Sequence, residues 1–310
     1  MNEKNSLAEF SKLSLKSAKW LIFYVLTQVF SSVLIFFHNL RSDKTFVERF
    51  LKIFAPIYKE KWYKQEFSIE KNFKVMNLFN ELMENFLLET LLISGVIILC
   101  FGIMQIKNNK KNNEVNIDNK DINFTGWQLI LFLITGVAFN ILISIAIGFI
   151  PKDIMESYDV LVGGVITSDI WLFNLIISGI LTPIVEELIF RYGILGCFIH
   201  INPTLAVIYQ ALLFATMHGN PIQMIYTFFL GIAFGYTTYK TESIVPAIFL
   251  HISLNSSTII SVNIFKNMEL FGLFYCIFVI LFSVYIANNF VKIKKVRKIK
   301  NKKNYNKRSI

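Results

Sequence analysis

The chain has 310 residues, of which 54% are hydrophobic and only 17% charged, and its net charge is +10. This composition is too apolar for a soluble globular protein of that length and is typical of an integral membrane protein. The charge does not indicate a nucleic-acid-binding protein, because ten of the 31 Lys and Arg residues lie between Lys292 and Arg308, directly after an apolar segment. A basic cluster there is attracted to anionic lipid on the cytoplasmic leaflet. We therefore expect the lipid bilayer as a partner, no nucleic acid, and a cytoplasmic C-terminus.

Long uncharged segments predict an all-α fold, a polytopic bundle of transmembrane helices, because a backbone that crosses a bilayer must satisfy its own hydrogen bonds. The first segment exceeds the core of a signal peptide in length, so we expect it to be a retained span. Eight spans are predicted: Trp20–Leu40, Phe86–Ile106, Trp127–Ile150, Ile170–Phe190, Thr204–Met217, Ile222–Tyr239, Ile244–Val262 and Leu270–Val291.

An Asn- and Lys-rich linker, residues 108–123, suggests how the chain is divided. We predict an N-terminal two-span region with polar loops (1–123), a six-span domain (124–291, with its motifs in 170–262) and a basic tail (292–310). The polar connection 41–85 is predicted to contain interfacial helices. Helix breakers at Asn202-Pro203 and Gly219-Asn220-Pro221 separate two helices within a long uncharged run.

The three cysteines, Cys100, Cys197 and Cys276, all fall in apolar segments and show no paired spacing. They predict neither a disulfide framework nor a thiolate zinc site. The pair Gly231 and Gly235 has the GxxxG spacing, which we interpret as a helix contact within the chain, and the sequence leaves the oligomeric state open.

Charged residues inside an apolar segment give the strongest functional signal. Glu186, Glu187 and Arg191 lie close together there, and charges at membrane depth cost at least about 3 kcal/mol each. Glu187 and Arg191 are four residues apart and can pair on one helical face. Glu186 points about 100° away, toward a different neighbour. We therefore expect Glu187 and Arg191 to be supporting residues and Glu186 to be free for chemistry.

Two later helices carry the other polar side chains. His218 follows Phe214 by one turn at the end of the fifth span, and His251 and Asn255 share a face of the seventh. If these helices enclose one cavity, Glu186 and His218 can activate water, and His251 and Asn255 can stabilise an oxyanion. A carboxylate in such an apolar cavity is a stronger base than one at the surface.

A zinc mechanism is the alternative, with Glu186, His218 and His251 as ligands. The chain has no HExxH motif, so we favour catalysis without a cofactor.

The ordered elements EExxxR, FxxxH and HxxxN on successive membrane helices resemble the CAAX prenyl protease and bacteriocin-processing family, also called CPBP or Abi intramembrane proteases. The resemblance covers residues 170–262 and implies a helical bundle with a membrane-embedded catalytic cavity. It also implies that Glu186 and His218 activate water, that His251 and Asn255 form the oxyanion site, and that Glu187 and Arg191 support them. The expected substrate is a membrane-associated or lipidated peptide or protein.

The expected activity is peptide-bond hydrolysis in CAAX-type processing, in bacteriocin or signal-peptide maturation, or in immunity. A bias toward Lys, Asn, Ile and Phe suggests an AT-rich bacterial genome and therefore a bacterial cell membrane. Two other interpretations stay open at this point. One is a proton-coupled transporter, in which buried Glu and His relay protons, although no internal repeat is visible. The other is a non-catalytic bacteriocin-immunity membrane protein that keeps the fold and binds a partner.

Overall fold

A computed structural model describes residues 3–59, 69–111, 124–151, 155 and 171–264, which contain helices and no β-strand. The eight helices in these ranges are α1 (Glu3–Ser42), α2 (Lys44–Lys59), α3 (Ile69–Lys111), α4 (Gly126–Gly148), α5 (Trp171–Phe198), α6 (Pro203–Thr216), α7 (Pro221–Thr241) and α8 (Val245–Ile264). The predicted all-α fold is therefore confirmed for this part of the chain.

Five of these helices are long and apolar enough to cross a membrane: Ser11–Ser42, Phe86–Asn109, Gly126–Gly148, Trp171–Phe198 and Val245–Val262. The predicted fifth span is the 14-residue helix α6, which is shorter than the roughly 20 residues that a full crossing needs. The predicted sixth span corresponds to α7, which has 21 residues but is not among the five. The predicted eighth span, Leu270–Val291, lies outside the described residues, so eight spans are not confirmed.

The predicted helix breakers act as helix starts. Asn202 caps α6 by accepting a hydrogen bond from the backbone of Leu205 at 3.1 Å, and Pro203 opens the helix. Asn220 caps α7 in the same way, and Gly219 before it has a φ of 69°. A proline in the first turn loses no backbone bond, and a left-handed glycine lets the chain reverse sharply. The two helices are thus joined by a tight turn.

Helix α5 lies at the centre, and α1, α3, α6, α7 and α8 all pack against it. Its side chains share one buried cluster with residues from α1, α3 and α6, whereas α7 and α8 form a second cluster that α4 covers. The two N-terminal spans therefore pack directly on the helix that carries the glutamates. The domain boundary at residue 123 stays a prediction.

The GxxxG motif is a contact between α6 and α7. A Cβ on Gly231 would lie 2.9 Å from the Cα of Ala211, and one on Gly235 would lie 2.4 Å from the Gln210 amide. The Gln210 Nε2 also donates to the Gly231 carbonyl at 2.7 Å. The interpretation as a helix contact within the chain is confirmed. The connection 41–85 includes the amphipathic helix α2, which begins after Asp43 caps its first turn.

Candidate active site

Helix α5 changes its winding on both sides of the glutamate pair. Leu175–Leu181 and Leu188–Leu195 are π-helical, and the α-helical turn Thr182–Glu187 lies between them. The backbone N–H of Thr182 donates to the carbonyl of Ile177, five residues earlier. Wide turns of this kind are rare and occur frequently at functional sites, because they redirect the side chains that follow. The pair is therefore carried by a regular α-helical turn between two irregular segments.

Glu187 contacts two side chains inside the protein, Arg191 on its own helix and His251 on α8. Its Oε1 lies 2.9 Å from Nη1 of Arg191, and both side chains have no exposed surface. The same oxygen lies 2.8 Å from Nδ1 of His251, on α8. The pairing of Glu187 with Arg191 that the spacing predicts is present, and the structure adds a contact with a histidine 64 residues away.

Glu186 approaches the same histidine from its other side. Its Oε2 lies 3.6 Å from Nε2 of His251, and its side chain is 12% exposed, whereas Glu187 is 0% exposed. We expected the two acids to serve different neighbours, but they share one imidazole. The reason is geometric: ring nitrogens on opposite edges of the imidazole meet carboxylates that leave the helix in different directions.

The tautomer of His251 follows from these contacts. Glu187, paired with Arg191, can only accept, so Nδ1 of His251 has to carry a proton. In the neutral imidazole, Nε2 then carries a lone pair that faces Glu186. In the imidazolium, Nε2 carries a hydrogen and is a second N–H donor. The separation of 3.6 Å from Glu186 exceeds a normal direct hydrogen bond, and contacts of that length are often bridged by water.

Aromatic rings close the sides of this charged cluster. The guanidinium carbon of Arg191 lies 4.5 Å from the ring centre of Phe214 and 5.4 Å from that of Phe234. The ring of His251 lies 5.8 Å from Phe214 and 5.2 Å from Phe234. None of the Arg191 nitrogens has a well-directed hydrogen-bond acceptor among the described residues. The buried cation is thus held by one ion pair and two ring faces.

His218 is connected to the cluster through Phe214. Its Nδ1 lies 2.8 Å from the Phe214 carbonyl oxygen, and the two rings meet edge to face at 4.8 Å. Helix α6 before it is only about 21 Å long at 1.5 Å per residue, less than the roughly 30 Å hydrocarbon layer. His218 and Asn220 satisfy backbone groups in the turn, as irregular backbone inside a membrane protein requires.

Asn255 contacts α5 at a distance from the two acids. Its Nδ2 donates to the carbonyl of Ser178 at 3.1 Å, and Ser256 Oγ donates to the carbonyl of Gly179 at 3.1 Å. Both carbonyls belong to the first π-helical segment. Asn255 therefore joins α8 to the segment that precedes the glutamates, and one of its two N–H donors is used there.

The structure thus brings Glu186, Glu187, Arg191 and His251 into direct contact. His218 joins them through Phe214, and Asn255 through the backbone of α5. The alternative zinc ligands are not grouped as a metal site, since no cluster of three or more His, Cys, Asp or Glu side chains that could hold a metal occurs among the described residues. Sequence reasoning missed Phe234, although its place between Gly231 and Gly235 on a packed helix face was visible.

Comparison with known proteins adds one finding. Residues 168–257 match the family model of the type II CAAX prenyl endopeptidase Rce1-like proteins. This segment is similar to the CAAX proteases. The resemblance found in the three motifs is confirmed, over fewer than a third of the chain's 310 residues. No curated protein matches the chain. No solved structure matches it either.

The matched segment comprises α5, α6, α7 and most of α8, so it contains every candidate site residue. Together with the five apolar helices, the match indicates an integral membrane protein. Helices α1 to α4 lie outside the matched segment, yet α1 and α3 pack on its central helix. The helix that carries the glutamates is therefore packed partly by helices outside the matched segment.

Proposed function

We propose that this protein is an intramembrane endopeptidase in which Glu186 activates the water that attacks a peptide carbonyl. The observation that carries the proposal is the contrast between the two acids. Glu187 is fully buried and engaged by Arg191 and His251, whereas Glu186 reaches the surface of the cluster and faces His251 across 3.6 Å. A general base needs access to water, and the 12% exposure of the Glu186 side chain supports this role.

In the proposed reaction, Glu186 takes a proton from water, with His218 orienting that water, and the hydroxide oxygen bonds to the carbonyl carbon. The carbonyl oxygen becomes an oxyanion, which is stabilised by the second N–H of Asn255 and by Nε2–H of His251, which carries both ring protons, as the imidazolium, in this step. The C–N bond then breaks, and Glu186 returns the proton to the leaving amine. Glu187 keeps Nδ1 of His251 protonated, and Arg191 balances the charge of Glu187. No step requires a metal or another cofactor.

The proposed substrate is a membrane-associated or lipidated peptide or protein. The match to type II CAAX prenyl endopeptidases supports processing near a lipidated cysteine. Maturation or immunity involving a bacteriocin or a signal peptide is the corresponding role in a bacterial cell membrane, with the basic tail on the cytoplasmic side. In each case the reaction removes a peptide segment held at the bilayer.

The test uses purified full-length protein with farnesylated CaaX peptides and with secreted-peptide precursors. Wild-type protein is expected to cleave at least one substrate, and Glu186→Gln is expected to lose at least 100-fold in kcat, a typical contribution of a general base. Glu48→Gln is the matched control, because Glu48 is an exposed acid on α2. Folded wild-type protein that cleaves none of the substrates would contradict the proposal, and would favour a non-catalytic immunity protein or, if it conducts protons, a transporter.

A further inference from the structure

Helix α1 runs antiparallel to α5 with a constant register. A Cβ on Gly193 would lie 2.5 Å from the indole of Trp20, so the two helices are in close contact there. One turn further along α1, the ring of Tyr24 meets Phe190 edge to face at 6.3 Å. As residue numbers rise on α1, those of their partners on α5 fall. Continued by one more turn, this register places Gln28 beside Glu186.

The Tyr24 hydroxyl lies within the electrostatic reach of this site. It interacts with the charge of Glu186 and is hydrogen-bonded to the Gln28 side chain. Tyr24 is only 9% exposed, so its hydroxyl needs partners inside the protein. Glu186 and Phe190 are four residues apart and lie on the same side of α5. The register places Gln28 beside Glu186, and the Tyr24 hydroxyl is directed toward Gln28 and is influenced by the charge of Glu186, so both side chains lie on the side of α1 that faces this carboxylate.

We infer that Tyr24 is a positioning residue of the site, whose hydroxyl donates a hydrogen bond that holds the Glu186 carboxylate in place. When the Gln28 amide donates to the phenol oxygen, the single O–H donor of Tyr24 is left for the carboxylate. Glu187 is held by Arg191 and His251 at 2.8–2.9 Å, whereas the contact of Glu186 with His251 on α8 is longer, at 3.6 Å. A donor from α1 supplies the missing restraint. The inference rests on the proposed role of Glu186 as the base.

The consequence is that α1 is part of the catalytic machinery, although it lies outside the family-matched segment 168–257. A carboxylate misplaced by a fraction of an ångström loses its alignment with the water and the substrate carbonyl. This lowers kcat and leaves substrate binding unchanged. Removal of the hydroxyl alone is therefore the informative change. It preserves the ring contact with Phe190.

The kinetic test compares Tyr24→Phe with Tyr192→Phe in the full chain. Tyr192 is a suitable control because its buried hydroxyl accepts a hydrogen bond from Asn109 at 2.7 Å in the same packing region. Tyr24→Phe is expected to lower kcat about tenfold, the size of one hydrogen bond, with KM within twofold and a melting temperature lowered no more than in Tyr192→Phe. Tyr192→Phe is expected to lower the melting temperature and keep kcat. An unchanged kcat in Tyr24→Phe, or an equal loss of kcat in both variants, would overturn the inference.

A second measurement needs no activity. In a chain whose native cysteines are replaced by alanine, Glu186→Cys is combined with either Gln28→Cys or Val29→Cys and oxidised in membranes. Val29 is 55% exposed and adjacent, so it controls for proximity along the helix. A disulfide with Gln28→Cys but not with Val29→Cys is expected, and the reverse pattern or equal cross-linking would overturn the register. If wild-type protein cleaves nothing, the proposed function fails, and the cross-link alone decides whether this face of α1 meets Glu186.

Discussion

Replacement of Arg191 by methionine tests the buried charge cluster. Arg191 and Glu187 have no exposed surface and lie 2.9 Å apart, so Arg191→Met leaves a buried carboxylate whose remaining partner is His251. Removal of one partner of a buried ion pair costs about 3–5 kcal/mol, because the other charge stays desolvated. The substitution also removes the cation from the faces of Phe214 and Phe234.

The double variant Glu187→Gln/Arg191→Met is the control for this argument. It removes both charges, and the glutamine oxygen can still accept from Nδ1 of His251. Replacing a whole buried pair is often nearly neutral, so we expect the double variant to lie within about 1 kcal/mol of wild type. Reversible unfolding in mixed micelles, followed by circular dichroism, measures both variants. A loss below about 1 kcal/mol for Arg191→Met, or a double variant less stable than the single one, would refute the reasoning.

Three further outcomes are expected. Gly231→Ala should destabilise the protein by about 1–3 kcal/mol, because its Cβ would lie 2.9 Å from the Cα of Ala211, whereas Gly148→Ala meets nothing within 4 Å and should be neutral in the same unfolding assay. Asn255→Ala should lower the melting temperature through loss of the contact with the Ser178 carbonyl, and should also lower kcat at least tenfold; a stability loss with unchanged kcat would remove Asn255 from the oxyanion site. Treatment with a chelator should leave cleavage unchanged, and loss of activity that zinc restores would show that the metal-free mechanism is wrong.

The helices and their ends could be predicted from the sequence, because they depend on residues close together in the chain. Asn202 and Asn220 precede prolines, and both cap the helices that the sequence predicted there. The spacing of four between Glu187 and Arg191 likewise placed the ion pair correctly, because the periodicity of a helix is a local property. The family motifs were recognisable for the same reason, since each lies within one or two helical turns.

The contacts of His251 were not predictable from spacing. The histidine lies 64 residues from Glu187, and its ring meets two acids that differ by one residue in the sequence. The π-helical segments on either side of the pair have no simple sequence signature, yet they alter where the acids point. Tyr24 could not be predicted as a site residue either. An aromatic residue in a membrane span is ordinarily a lipid or packing contact. Tertiary structure alone brings it to Glu186.

The most direct test of the central claim is single-turnover cleavage by Glu186→Gln, compared with wild-type protein at saturating enzyme. The substitution keeps the size of a side chain that is 12% exposed, so folding is expected to be unchanged. If Glu186 is the base, the cleavage rate falls by at least about 100-fold, while substrate still binds and the melting temperature stays within the error of wild type. A rate within tenfold of wild type would contradict the assignment.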